Sequence, residues 1–189
     1  MPGRFFICML LMVFGIFGYT QALAEEISPE AGTGKSSCYW SHEEKQAFDS
    51  MLRSFALYES LLDDIKEHEG YRITVHGENV QDLMNYLDEG FEAELAANII
   101  EAYLQWVPEL QEMAVIPCDG IPVLNNNDMQ GLTCFHPDQN TIIFQRSYED
   151  CYSKGDSYLF SVTLNHSLQC WRIKELHLEE NSQQPLDHA

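Results

Sequence analysis

The chain predicts an α+β domain in which amino-terminal helices pack on a carboxy-terminal antiparallel meander. Three observations carry that expectation. Ser41-His42-Glu43-Glu44 is a capping box, and Phe48, Met51, Leu52, Phe55, Tyr58, Leu61, Leu62 and Ile65 follow it at helical spacing. Tyr158, Phe160, Val162 and Leu164 alternate with their neighbours and so give a strand one apolar face. Helical patterns end near Pro108 and strand patterns take over at Thr141, so the two kinds of element are segregated along the chain.

Each element follows from its local signals. The first helix is expected over residues 42–69, with Gly70 stopping it in a left-handed conformation. Phe48, Leu52, Phe55, Leu62 and Ile65 should face the sheet, and Glu43, Asp49, Asp63, Asp64 and Glu67 form its charged outer face. Tyr71, Ile73 and Val75 alternate with Arg72, Thr74 and His76, which predicts a short strand. Asn79 can cap a second helix with Leu83, Met84 and Leu87 on its apolar side. After Gly90 a third helix carries Phe91, Leu95, Ile99, Tyr103 and Trp106. Pro108 limits it, because proline lacks a donor and disfavours helix in the residue before it.

Turn formers dominate residues 118–140, leaving room for short strands only. A meander follows, with strands over residues 141–148, 158–164 and 171–178. Its turns lie at Ser153-Lys154-Gly155-Asp156 and Asn165-His166-Ser167. Trp171 and Ile173 have one parity while Leu176 and Leu178 have the other, and a bulge near Lys174-Glu175 would reconcile them.

The ends of the chain read differently. Arg4, an apolar run over residues 5–17, Ala22-Leu23-Ala24 and then Glu25-Glu26 have the layout of a secretory signal peptide over residues 1–24. The run is shorter than the ~20 residues that span a bilayer, so a secreted, extracytoplasmic protein with no membrane association after cleavage is expected. Residues 25–40 read as a flexible leader, residues 41–180 as a single domain and residues 181–189 as a tail.

Ten basic residues face thirty acidic ones, for a formal net charge of −20. That field repels nucleic acid, whose binding depends on neutralising phosphates, and it attracts cationic partners. Once Cys8 leaves with the signal, Cys38, Cys118, Cys134, Cys151 and Cys170 remain. In an oxidising compartment this favours two bridges and one thiol, with connectivity open. Cys118, Cys134, Cys151 and Cys170 are expected to supply the bridges, since Cys38 precedes the capping box.

Catalytic and metal signals are sparse. No G-x-S-x-G, H-E-x-x-H or C-x-x-C occurs, so neither a catalytic residue nor a cofactor is assigned. His76 with Glu78 and His136 with Asp138 are two-ligand fragments, which assigns no metal. The run Asn125-Asn126-Asn127-Asp128 lacks the ordered positions of a calcium loop and reads as an Asx-rich turn. Asp63 and Asp64 diverge by about 100° on a helix and do not converge on one substrate. Tyr148, Tyr152, Tyr158, Phe160 and Trp171 could line a concave pocket, although core packing accounts for them more simply.

Two segments resemble a known family. Tyr86-Leu87-Asp88-Glu89-Gly90-Phe91 with Glu94-Leu95-Ala96 is similar to a helix pair of small secreted Gram-positive proteins. Phe144-Gln145-Arg146-Ser147-Tyr148, then Gly155-Asp156-Ser157-Tyr158 with its continuation to Leu164, then Trp171-Arg172-Ile173, resembles their final meander. That family is the IseA-like inhibitors of cell-wall D,L-endopeptidases, and the likeness covers residues 71–178. It implies a non-catalytic protein that occludes the cleft of a cationic peptidoglycan hydrolase. Asp63, Asp64 and Glu67 are the acidic face offered for such a partner by charge, not by any family motif. The five cysteines depart from the family's pattern. NTF2-like and cystatin-like domains share the helix-then-meander order, and they imply instead a pocket for a small molecule or peptide.

Overall fold

The first helix begins where its capping box predicts. Ser41 Oγ accepts from the Glu44 amide at 3.1 Å, and the Glu44 carboxylate accepts in return from the Ser41 amide. The computed structural model describes residues 40–149, 157–167 and 170–180, which fall within one compact unit. The expected signal peptide, most of the expected leader, Cys38, Cys151, Tyr152, the expected turn at Ser153-Lys154-Gly155-Asp156 and the expected tail lie outside the described residues.

Helix α1 spans His42–Asp63 and buries Phe48, Met51, Phe55, Tyr58 and Leu61. It is shorter than expected. Asp64 closes it, and the chain turns into strands β1 (Ile65–His68) and β2 (Tyr71–Thr74). The two strands pair antiparallel about Glu69 and Gly70, which have φ of 50° and 85°. Two successive left-handed residues are the mark of a type I′ hairpin. Gly70 therefore does use its conformational freedom, but in a hairpin and not in a helix cap. Leu52, Leu62 and Ile65 are only half-buried against the core. Glu69 pays the steric cost of a left-handed side chain, so Glu69→Asn should raise stability by about 0.5 kcal/mol. Urea titration would detect this, and a loss of stability would contradict the hairpin.

Helix α2 (Val80–Leu87) is capped by Asn79, whose side chain accepts from the Asp82 amide. Helix α3 covers Ala93–Tyr103. It stops before Trp106, contrary to the helical spacing, and β3 (Leu104–Val107) continues the chain. Pro108 biases Val107 to extended backbone, and the turn after it returns the chain as β4 (Glu112–Val115), with Gln111 at φ 52°. Strands β1, β2, β4 and β3 form one antiparallel sheet in that order, an element absent from the expected architecture.

The expected meander is the second sheet. A short 3-10 helix (Asn126–Gly131) leads into β5 (Leu132–Asp138), then β6 (Thr141–Glu149), β7 (Ser157–Ser167) and β8 (Cys170–Glu180), paired in chain order. Strand β7 runs through Asn165, His166 and Ser167, which sequence assigned to a turn. The predicted bulge is present. Thr163 opposes Glu175 and Leu164 opposes Ile173, so Lys174 is the extra residue. It shifts Leu176 and Leu178 onto the face already occupied by Trp171 and Ile173.

Helices and meander meet through aromatic side chains. Phe144 of β6 packs on Phe48 of α1 and on Trp40, with ring centroids 5.8 and 5.1 Å away. Trp40 is only 4% exposed, so the folded region takes in the residue placed last in the leader. The α2–α3 connection is stitched to β8: Ile173 donates to Gly90 O and Glu92 donates to Ile173 O, each at 2.9 Å.

Candidate functional site

Cys134 and His136 lie two residues apart on β5, and strand alternation sends both side chains toward the amino-terminal turn of α1. The ladder is interrupted there. Phe135 pairs with Ile143 and Asp138 with Thr141, so His136 and Pro137 together oppose Ile142. Such a bulge re-aims a side chain, and His136 Nε2 sits 3.0 Å from Glu44 Oε1. Glu44 is 3% exposed and its other oxygen is held by the Ser41 amide. Ligand atoms of Glu44, Cys134 and His136 all lie within 4.8 Å of one another.

The electrostatics of this corner favour an ionised carboxylate. Burial alone would raise the Glu44 pKa, but hydrogen bonds from Ser41 and His136, with the charge of His136, bring it below the ordinary value. A carboxylate with a lowered folded pKa stabilises the protein above its unfolded pKa, and that stability disappears as pH falls through the folded value. Glu44→Gln should therefore cost about 1–2 kcal/mol near neutral pH, with the variant less sensitive than the parent to acidification below about pH 4.5. Thermal melts at several pH values would show it. Parallel pH profiles for the two proteins would contradict the assignment.

Sequence reasoning used Glu44 only as a cap and joined His136 to Asp138. That pairing is corrected here. Asp138 instead accepts from the Asn140 amide and the Thr141 hydroxyl, at 2.8 and 2.9 Å. A strand reading of Cys134-Phe135-His136 would have placed the cysteine and histidine on one face, but β5 was hidden among turn formers. Nothing local could have brought in Glu44, ninety-two positions away.

The expected acidic face is divided between the end of α1 and strand β1. Asp63 ends α1, Asp64 caps it and Glu67 lies in β1, all exposed. They are not one helix face. Asp64 Oδ2 is 3.1 Å from His76 Nε2, whose ring stacks on Tyr86 at 4.3 Å, and Glu67 opposes Arg72 in the ladder.

Of the expected bridging cysteines, Cys134 is buried, Cys170 half-buried and Cys118 exposed, and no disulfide joins two described residues. Cys151 lies outside those residues.

Large apolar side chains pack the centre of the interface between α1 and the meander. Met51, Phe55, Phe91, Phe144 and Phe160 are each at most 1% exposed there. Phe160 and Trp171 are core residues, and Tyr148 is partly buried against the same core with the Arg146 guanidinium 4.9 Å above its ring. A cleft of about 370 Å³ opens between α1 and β8, lined by Ser50, Arg53, Leu57 and Ser60 of α1, by Glu89 and by Trp171 of β8. Lys66, Arg146 and Arg172 are ion-paired with Glu112, Asp128 and Asp88, so internal contacts occupy three of the described cations. Among the described residues, no helix is long and apolar enough to cross a membrane. No family model, curated protein or solved structure matches the chain.

Proposed function

We propose that this is an exported, non-catalytic binding protein that inhibits a cationic peptidoglycan D,L-endopeptidase through its acidic exterior. The observation that carries the reading is the distribution of charge around a filled interior. Exposed acids occur on α1, at its carboxy-terminal end, on β1, around α2 and along β8, while three of the basic side chains are neutralised within the fold. Aromatic packing fills the centre of the helix–meander interface and leaves a cleft only beside Arg53 and Trp171, which favours surface recognition over the NTF2-like or cystatin-like pocket reading. The signal-like amino terminus and the IseA-like segments support the choice of compartment and of partner class.

The physical logic is complementary charge. Peptidoglycan carries carboxylates, so a hydrolase that binds it gains from a cationic surface. A protein with net charge −20 competes for that surface and is drawn to it over several ångströms. Purified wall digested by a D,L-endopeptidase should be hydrolysed more slowly when this protein is added in excess at low salt. An unchanged rate removes the inhibitor reading and leaves the cleft beside Arg53 as the place to look for a ligand.

A further inference from the structure

The Glu44, Cys134 and His136 corner has no part in surface recognition, yet its composition is specific. A thiol, an imidazole and a carboxylate converge from β5 and from the first turn of α1. Glu44 and Cys134 are 3% and 6% exposed, whereas the His136 side chain is 40% exposed, so the corner is open on one flank only. An ion pair between His136 and Glu44 would need neither Cys134 nor the bulge. A nucleophilic thiol would have to be reachable by its substrate, and at 6% exposure Cys134 is not.

We propose that Glu44, Cys134 and His136 form a binding site for a borderline divalent cation of the Zn²⁺ class. Thiolate and imidazole donors suit zinc and disfavour calcium and magnesium, which take oxygen ligands. Tetrahedral zinc has bonds of roughly 2.0–2.3 Å, which set its ligand atoms about 3.3–3.8 Å apart. The three ligand atoms lie within 4.8 Å of one another, and His136 Nε2 and Glu44 Oε1 are 3.0 Å apart, so small side-chain adjustments would bring the set to that range. The amide of Ser41 fixes the second oxygen of Glu44, an outer contact of the kind that orients metal ligands. Three protein ligands leave a fourth position toward solvent on the His136 side. Bound there, the ion would tie the start of α1 to the edge strand β5.

The test is titration of the full chain with Zn²⁺ against a chromophoric chelator, with elemental analysis and a Co²⁺ substitution in parallel. The expected result is one ion per chain, a thiolate-to-cobalt charge-transfer band, and a rise in melting temperature with added Zn²⁺. His136→Gln and Cys134→Ser should each weaken binding at least ~10-fold, abolish the melting shift and, for the serine variant, remove the band. His166→Gln, remote on β7, should behave as the parent. His136 is exposed enough that its variant should fold even where the buried Cys134→Ser does not. Absence of stoichiometric binding, unchanged affinity in His136→Gln, a cobalt spectrum without the charge-transfer band, or recovery of Cys134 in a disulfide from protein prepared with Zn²⁺ would each overturn the site.

Discussion

Replacing Phe144 by alanine is expected to lower the free energy of unfolding by about 3–5 kcal/mol, as for other large aromatic truncations in filled cores. Phe144 is fully buried and touches both Trp40 and Phe48, so one ring joins the meander, the first helix and the chain preceding it. Its removal leaves a void between two layers that cannot close without moving α1. Urea denaturation followed by tryptophan fluorescence is the natural measurement, since Trp40 reports on the same contact. A loss below about 1 kcal/mol would mean that helix and sheet are held together elsewhere.

A second large effect is expected at Gly90. Its carbonyl accepts from Ile173 and lies 2.8 Å from Ser54 Oγ, so α1, the α2–α3 connection and β8 meet at one backbone atom. A Cβ there would stand 2.7 Å from Ser54 Oγ and 2.9 Å from Ser54 Cα, and the second of these is backbone that cannot rotate away. Gly90→Ala should therefore cost about 3 kcal/mol through overpacking. Gly131 has open space around its Cβ position, and Gly131→Ala should change stability by less than about 0.5 kcal/mol. Equal effects at the two positions would contradict the three-way junction.

These two sites also mark what was legible in the sequence. The start of α1 was readable because Ser41 and Glu44 satisfy helix amides locally, and the bulge at Lys174 because parity changes between Ile173 and Leu176. The end of α1 was not. Ile65 continues the helical spacing of Leu61 and Leu62, and Gly70 serves a helix cap and a type I′ turn equally well. What separates the alternatives is pairing of β2 with β4, forty residues farther on, which no local pattern encodes. Strand β3 was masked in the same way. Ile99, Ile100, Tyr103, Leu104 and Val107 recur at helical intervals although the last two belong to a strand. The candidate metal corner joins residues from both ends of the fold, so only its Cys134-x-His136 half had any local signature.

The most direct test of the acidic-surface account is the association rate of this protein with a cationic D,L-endopeptidase, measured at low and physiological salt. The Debye length falls from about 30 Å at ~0.01 M to about 8 Å at ~0.15 M. Over that range, electrostatic steering predicts a fall of about tenfold or more in the association rate, with dissociation changing by less than about twofold. Neutralising Asp63, Asp64 and Glu67 as Asp63→Asn, Asp64→Asn and Glu67→Gln should lower the low-salt rate if that end of α1 and β1 takes part. An association rate independent of salt, or no binding at ~0.01 M, would contradict recognition through the acidic exterior.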